Sequence, residues 1–115
     1  MSLLETGNLD VLLDAGFRHH KVIASNLANV HTPGYRAARL RFSEELSGLL
    51  QEGREPTVGG KRHTEVYRPG GRKGPNNVSL EKEAAKLSRN SLRVEQYLSV
   101  LNFKIRRMKA ALRSP

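Results

Sequence analysis

Cysteine and tryptophan do not occur in this 115-residue sequence, and its aromatic residues are only three Phe and three Tyr. The lack of cysteine excludes a disulfide framework and a thiolate metal site. With 37% hydrophobic residues, a packed core would be thin, so we expect order to depend on burial against neighbouring subunits. The longest aliphatic runs are too short to cross a bilayer. The first residues also lack the basic leader and apolar core of a cleaved secretory signal.

Acidic residues are scarce, with eleven Asp and Glu against twenty Lys and Arg, for a net charge of +9. The basic excess lies entirely after Tyr35, because residues 1–35 contain two basic and three acidic side chains. A basic C-terminal part is compatible with nucleic acid, an anionic lipid surface or an acidic protein neighbour. Charge alone does not choose among these partners.

An amphipathic helix is predicted from about Asn8 to Val30. Its apolar positions recur at spacings of three and four, as on one face of a helix. The face comprises Leu9, Leu13, Ile23, Leu27 and Val30, with Gly16 and His20 filling the same stripe. This pattern places His20 on the packed side of the helix and His19 on the polar side.

A turn of well-defined chemistry follows this helix at residues 32–35, which read Thr-Pro-Gly-Tyr. Proline disfavours helical dihedrals in the residue before it, so the helix should end near His31. Proline followed by glycine suits the two central positions of a type II turn. Asn26 and Asn29 lie in the last helical turns, where their amides can reach carbonyls that have lost helical donors.

A second, longer helix is predicted from about Ser79 to Leu112, with Ser79 as its N-cap. Its apolar stripe alternates spacings of four and three, which is typical of a coiled-coil seam. The stripe comprises Leu80, Ala84, Leu87, Ser91, Val94, Leu98, Leu101, Ile105, Met108 and Leu112. At about 50 Å, this helix is too long for a small globule. Its stripe therefore needs the N-terminal helix, another copy of the chain, or both.

The middle of the chain carries weaker patterns. Residues 36–50 suggest an extended start and a short helix, and residues 53–77 are rich in Gly, Pro, Arg and Lys. A short hairpin around Thr64 to Tyr67 is a weak strand signal. We therefore predict an all-α fold in which two long N- and C-terminal helices pack as a coiled-coil hairpin around an irregular Gly/Pro/Arg-rich middle loop. The chain would be one structural unit in three parts: residues 1–35, 36–77 and 78–115.

The two asparagines followed by Thr-Pro-Gly-Tyr resemble the N-terminal signature of the bacterial flagellar axial proteins, which build the rod, hook and hook-associated parts. Within that group, residues 18–46 and 76–112 are most similar to a proximal rod protein of the basal body. The last helix, with its run LSRNSLRVEQYL, supports this assignment. Neighbouring rod types share the N-terminal signature, so another short rod component, similar to FlgC, stays an alternative.

The resemblance implies a structural subunit and not an enzyme. Such a subunit would assemble helically in the periplasmic rod, connect the MS ring to the distal rod and transmit torque. It would leave the cell through the flagellar type III apparatus without a cleaved signal peptide. Its implied partners are further copies of itself, the rod proteins FlgC and FlgF, FliE, and the proteins of the MS ring and export gate. No cofactor is implied.

Two groups of candidate functional residues follow. The rod-motif turn would set where the chain leaves the helical layer, and apolar residues of both helices and the segment after the turn would pack within and between subunits. The turn group comprises Asn26, Asn29, Thr32, Pro33, Gly34 and Tyr35. The packing group comprises Leu9, Leu13, Ile23, Leu27, Phe42, Leu87, Val94, Leu98, Leu101, Ile105, Met108 and Leu112.

Catalytic and metal sites are not expected from the remaining polar residues. Four histidines occur, His19, His20, His31 and His63, but none forms an i, i+4 pair and no acidic cluster complements them. The carboxylates are scattered, and two helices with a loop offer little of the enclosure that acid–base chemistry requires. No metal and no catalytic residue is therefore predicted.

Binding of nucleic acid is the alternative from a different functional class. A basic loop could neutralise phosphates and release counterions. Its cations are Lys61, Arg62, Arg68, Arg72 and Lys73. However, Tyr67 is the one aromatic residue among them and no recognition helix follows a turn in the expected arrangement. A basic nucleic-acid-binding helical protein is thus the less favoured reading.

Overall fold

The structure is a computed structural model that describes residues 6–44, 46–47, 64–69 and 75–113. Two helices, α1 (Thr6–Ala28) and α2 (Leu80–Arg113), flank two short strands, β1 (Arg39–Phe42) and β2 (Thr64–Tyr67). The prediction of an all-α fold is therefore wrong: the chain is mostly helical, but its middle contributes a strand pair. The cations Lys61, Arg62, Arg72 and Lys73 of the basic loop, and His63, lie outside the described residues.

The two strands pair antiparallel, with Arg39 opposite Tyr67 and Phe42 opposite Thr64. β2 coincides with the weak strand signal in the sequence, but its partner is β1 and not an adjacent segment of a local hairpin. More than twenty residues separate the two strands in the chain. Pairing at that separation leaves no turn signature at either strand, which is why the sequence did not reveal it.

α1 and α2 run antiparallel along most of α1. The amide Nδ2 of Asn90 in α2 donates to the Gly16 carbonyl of α1 at 2.9 Å. A Cβ atom on Gly16 would lie 2.7 Å from Cγ2 of Val94, so the glycine permits the close approach of the two helices here. Nearer the start of α1, Tyr97 packs with Leu9 and Leu12 in the main apolar cluster. α2 continues past the start of α1, and the molecule measures 65 × 26 × 20 Å.

Ser79 caps α2, as predicted. Its carbonyl accepts the Glu83 N–H at 2.9 Å, and its Oγ accepts the Lys82 N–H at 3.3 Å. A helical turn after β1 is held in the same way, because Ser43 Oγ accepts the Leu46 N–H at 3.1 Å. Leu46 is fully buried in the cluster of Tyr97. The serine caps thus stabilise the first turns of both helical segments, and the burial of Leu46 attaches the shorter segment to the helical pair.

The buried face of α1 is rotated from its predicted position. Leu9, Gly16 and Ile23 of the predicted stripe are buried, whereas Leu13, Leu27 and Val30 are half-buried. The pattern missed Leu12, Ala15, Val22 and Asn26, which are buried. The placement of the two histidines is wrong: His19 is half-buried and His20 is exposed. The strand pair packs on this side of α1, and His19 meets Phe42 edge-on, with ring centroids 5.9 Å apart.

α2 also turns a different face toward its partner than its apolar stripe predicted. The buried residues of α2 are Glu83, Asn90 and Tyr97, with the half-buried Leu87, Val94 and Leu101 beside them. The half-buried residues belong to the predicted apolar stripe, but the three buried residues do not. The contact face is therefore rotated by about half of the 100° between consecutive residues. Leu80, Leu98, Ile105, Met108 and Leu112 of the stripe are exposed, and the coiled coil stays a prediction.

Candidate functional site: a turn held by asparagines and an exposed helical end

The chain reverses after α1 through a type II turn, as predicted. The Thr32 carbonyl accepts the Tyr35 N–H at 3.2 Å, which places Pro33 and Gly34 at the two central positions. Gly34 has a φ of 73°, the left-handed value that this turn demands at its third residue. A side chain with a Cβ atom would be strained there. The turn sets the direction in which the chain leaves α1.

Asn26 links the end of α1 to the chain after the turn. Its Oδ1 accepts the Ala38 N–H at 2.8 Å, and its Nδ2 donates to the Ala38 carbonyl at 2.9 Å. The Tyr35 hydroxyl donates to the same Oδ1 at 3.2 Å. Asn26 is 1% exposed. The side chain therefore satisfies both backbone groups of a buried residue twelve positions away, where the sequence suggested a carbonyl of its own helix.

Asn29 reaches a carbonyl of its own helix, but not one that has lost its helical donor, because the Ser25 carbonyl also accepts the Asn29 N–H at 3.2 Å. Its Nδ2 donates to the Ser25 carbonyl at 2.8 Å, in the last turn of α1. Its Oδ1 accepts the Thr32 hydroxyl at 3.0 Å. The two asparagines of the motif thus have different tasks: Asn29 closes the helix end locally, and Asn26 holds the returning chain.

A second asparagine pair, Asn76 and Asn77, completes the site and was not among the predicted residues. Nδ2 of Asn76 lies 2.7, 3.1 and 2.8 Å from the carbonyl oxygens of Asn29, Val30 and Thr32. It therefore joins the residues before α2 to the backbone that follows α1, where the Asn29 and Thr32 carbonyls also accept the N–H groups of Thr32 and Tyr35. Its Oδ1 accepts the Val78 N–H at 2.8 Å, which bends the chain toward α2.

Asn77 fastens the other side of the turn. Its Oδ1 accepts the Ala37 N–H at 2.7 Å, and its own N–H donates to the Tyr35 carbonyl at 3.3 Å. Together the asparagines join the end of α1, the turn and the residues before α2 into one hydrogen-bonded unit. The feature of the sequence that could have indicated these residues was the Asn-Asn pair just before the Ser79 cap, because asparagine side chains often form hydrogen bonds with backbone groups.

Tyr35 closes the turn at the surface. Its hydroxyl also lies 3.3 Å from Ser25 Oγ, and the Arg68 guanidinium carbon stands 5.2 Å from the ring centroid. Arg68 also donates to the Arg36 carbonyl. Partial burial works to raise the pKa of Tyr35, but the Ser25 hydrogen bond and the Arg68 cation together lower it. Arg68 thus ties the end of β2 to the rod-motif turn.

Glu83 is a buried carboxylate at the start of α2. It is 2% exposed, and its Oε1 lies 3.5 Å from both Arg39 Nη1 and Lys86 Nζ. Its Oε2 has no hydrogen-bond partner among the described residues, and Glu83 is among the residues that line a cavity of about 260 Å³. A buried charge requires pairing, so Glu83 fixes α2 to β1 through Arg39.

His19 borders the same cavity. Burial, followed by the nearby cations Arg93 and Lys86, lowers its pKa. A hydrogen bond with Asn90 works in the opposite direction but is outweighed. Folding therefore disfavours the charged form of this imidazole relative to a solvent-exposed histidine.

The predicted packing residues divide into an inner and an outer group. Leu9 and Ile23 are buried, and Leu13, Leu27, Phe42, Leu87, Val94 and Leu101 are half-buried. Leu98, Ile105, Met108 and Leu112 are exposed on α2, the last of them at 85%. The inner group holds the chain together, and the outer group forms an apolar stripe on the projecting end of α2.

Within the described residues, no group of three or more His, Asp or Glu side chains is placed to hold a metal ion. No described helix is both long and apolar enough to span a membrane. Among the described residues, the contacts of the site are backbone hydrogen bonds, hydrogen bonds from asparagine side chains to the backbone, and the ion pairs of the buried Glu83 with Arg39 and Lys86. This arrangement positions chain segments.

Comparisons with known proteins agree with the resemblance seen in the sequence. A family model described as "Flagella basal body rod protein" matches residues 19–36, from His19 through the turn. The flagellar basal body rod protein FlgB of Escherichia coli K12 is 28% identical over 84% of this chain and 84% of its own length. FlgB of Salmonella typhimurium LT2 is 27% identical over 79% of this chain and 80% of its own. FlgB of Yersinia enterocolitica is 25% identical over 83% of each. The similarity to flagellar rod proteins is confirmed.

Proposed function

We infer that this chain is a member of the flagellar basal body rod protein family, and we propose that it is a structural subunit of the proximal rod. It assembles helically with other rod proteins, connects the MS ring to the distal rod and transmits torque. The similarity to FlgB over most of the chain supports a structural role in the rod. Its place among the rod types is our proposal.

The observation that carries this proposal is the direction of the apolar stripe on α2. The buried residues of α2 are Glu83, Asn90 and Tyr97, and two of these are polar. Leu98, Ile105, Met108 and Leu112 of the apolar stripe are exposed, whereas Leu87, Val94 and Leu101 are half-buried. A 34-residue helix that projects past its partner with such a stripe is suited to pack against neighbouring subunits.

The asparagine-held turn supplies the rigidity that this role requires. Torque passes through a subunit only if its two helices keep their relative orientation under load. Asn26, Asn76 and Asn77 connect both helices to the turn through short hydrogen bonds. Different patches must meet in successive subunits for an open helical array to form.

The proposed location is the periplasmic rod, reached through the flagellar type III apparatus without a cleaved signal peptide. The proposed partners are further copies of the chain, FlgC, FlgF, FliE, and proteins of the MS ring and export gate. The family names of the relatives support a place in the basal body.

The substitution Gly34→Val tests whether the turn is needed for incorporation. Gly34 has positive φ, and a β-branched residue is strongly disfavoured there. We expect a tagged Gly34→Val chain to be missing from purified basal bodies and its cells to be non-motile. Gly34→Asn is the matched control, because asparagine tolerates left-handed dihedrals, and it should retain most incorporation.

The same experiment tests the proposed function itself. The tagged wild-type chain should copurify with basal bodies. Its absence from them would refute the rod assignment. If the Gly34→Val chain were incorporated as well as the Gly34→Asn chain, the role of the turn would be refuted while the assignment remained.

A further inference from the structure

The cavity of about 260 Å³ beside Glu83 lies where α1, β1 and the start of α2 meet. We call it the junction cavity. The charged side chains of its lining are three cations and one carboxylate, which gives them a net charge of +2: Arg39, Lys86, Arg89 and Glu83. The other polar side chains of the lining are His19, Asn26 and Tyr67. The charge of the lining favours an anionic occupant.

The cations of the junction cavity have donors to spare. Arg89 is exposed and has no hydrogen-bond or ion-pair partner among the described residues. Arg39 and Lys86 each make one contact with Glu83, at 3.5 Å, and both have further N–H groups. Their side chains are half-buried. An anion in the cavity can therefore accept charge-assisted hydrogen bonds from all three.

Glu83 restricts which anion fits. Arg39 and Lys86 both lie beside its Oε1, and its buried Oε2 has no hydrogen-bond partner among the described residues. The terminal torsion of a glutamate is soft, so a small rotation turns this oxygen toward the cavity that the side chain lines. An anion without a proton would repel the carboxylate, whereas an anion with an O–H group can donate to it.

Inorganic phosphate combines the two properties that the lining requires. At neutral pH it has charged oxygens and at least one O–H group. Sulfate and carboxylates carry no proton at this pH. A phosphate monoester has a second pKa of about 6, so at neutral pH it has also lost most of its O–H groups. The chemistry of the cavity therefore favours the free ion over its esters.

We propose that the junction cavity binds inorganic phosphate. The charged oxygens of the ion accept from Arg39, Lys86 and Arg89, and its O–H group donates to Glu83. The bound ion joins β1 to α2, beside the direct pair of Arg39 with Glu83. This inference goes beyond the proposed function and does not depend on it, because it rests on the side chains of the cavity alone.

Isothermal titration calorimetry of the full chain tests the site, with inorganic phosphate and sulfate as probes at neutral pH and equal ionic strength. We expect phosphate to bind about tenfold or more tightly than sulfate, because sulfate leaves the buried carboxylate oxygen unsatisfied. Glycerol phosphate, a monoester, should behave like sulfate. The absence of phosphate binding, or equal affinities for phosphate and sulfate, would overturn the proposal.

The substitution Arg89→Gln tests the location of the ion. Arg89 is exposed and makes no contact that the fold depends on, so the variant should keep its helical circular dichroism. Its affinity for phosphate should fall by about tenfold or more, the effect of losing a hydrogen bond to a charged group. Arg106→Gln is the matched control, because Arg106 is an exposed cation of α2 outside the cavity. Equal losses in the two variants would show a diffuse attraction to α2 and refute the site.

The substitution Glu83→Gln tests the selection between the two anions. Glutamine has an amide that donates as well as accepts, so the variant should bind sulfate about as well as phosphate. A retained preference for phosphate would refute the role of Glu83. Because Glu83 is buried and paired, this variant is compared only if its circular dichroism matches the wild type. The sulfate comparison and Arg89→Gln decide the proposal without it.

Urea unfolding provides a second measurement. Phosphate and sulfate both strengthen apolar burial through exclusion from the protein surface, so the difference between them isolates specific binding. The wild-type midpoint should be higher in phosphate than in sulfate, because a ligand that binds the folded chain stabilises it. Arg89→Gln should reduce this difference and Arg106→Gln should retain it. Equal wild-type midpoints in the two salts would contradict the phosphate site.

Discussion

Asn26→Ala is the substitution with the largest expected effect on the turn. It removes the acceptor of the Ala38 N–H, the donor to the Ala38 carbonyl and the acceptor of the Tyr35 hydroxyl. Asn26 and Ala38 are both buried, so water cannot replace the lost partners of Ala38 without local opening. The Tyr35 hydroxyl keeps its contact with Ser25, so the hydrogen bond that it loses costs less than those lost by Ala38.

The magnitude follows from the two backbone groups left without partners. Each unsatisfied buried group costs about 1–3 kcal/mol, so the free energy of unfolding should fall by about 2–6 kcal/mol. Asn29→Ala is the matched control, because its hydrogen bonds lie at the exposed end of α1. Its cost should be about 1 kcal/mol. Asn26→Asp keeps the oxygen that accepts from the Ala38 N–H and the Tyr35 hydroxyl, but it places a carboxylate oxygen against the Ala38 carbonyl, so it should also destabilise the chain.

Urea unfolding followed by far-ultraviolet circular dichroism measures the effect. With a slope of about 1.5 kcal/mol/M, the midpoint should fall by about 1–4 M for Asn26→Ala and by less than about 1 M for Asn29→Ala. The slope itself should not change. Equal midpoints for the two alanine variants would refute the conclusion that Asn26 holds the returning chain.

Two further predictions concern the helical pair. Gly16→Ala should destabilise the chain by about 1–2 kcal/mol, because overpacking against Val94 outweighs the helix preference of alanine. Adding Val94→Ala should recover part of this loss in a double-mutant cycle. If Gly16→Ala instead stabilised the chain, the close approach of the two helices at Gly16 would be contradicted. The lowered pKa of His19 means that the unfolded chain binds more protons than the folded chain near pH 6.5, so the free energy of unfolding should fall as the pH drops through that value. Urea midpoints at about pH 7.5 and pH 5.5 should differ less for His19→Asn than for the exposed control His20→Asn, and an unchanged difference in His19→Asn would exclude this histidine as the cause.

The asparagines of the turn show how far sequence reasoning reached the site. Asn29 bonds the carbonyl four residues back, a contact that local geometry alone predicts. Asn26 bonds a residue twelve positions away, and Asn76 bonds carbonyls more than forty positions away. An asparagine in such a position indicates that its side chain will bond a backbone group, but which group it bonds depends on the tertiary structure.

The sequence by itself determined the features that arise within a few residues of one another. Pro33 and Gly34 dictate the turn through their own dihedral preferences, and Ser79 caps α2 through neighbouring N–H groups. The length of both helices follows from their apolar periodicity in the same way. Each of these features depends only on contacts between residues that are close together in the sequence.

Only the tertiary structure decided which faces the helices present and how the middle pairs. The period of α2 allows two overlapping stripes, and the contacts of Asn90 with Gly16 and of Glu83 with Arg39 select the more polar one for the interior. The strand pair depends on β1 meeting β2 across a long separation. In both cases the same local sequence pattern is compatible with more than one arrangement. The contacts that form when the chain folds decide which arrangement is adopted.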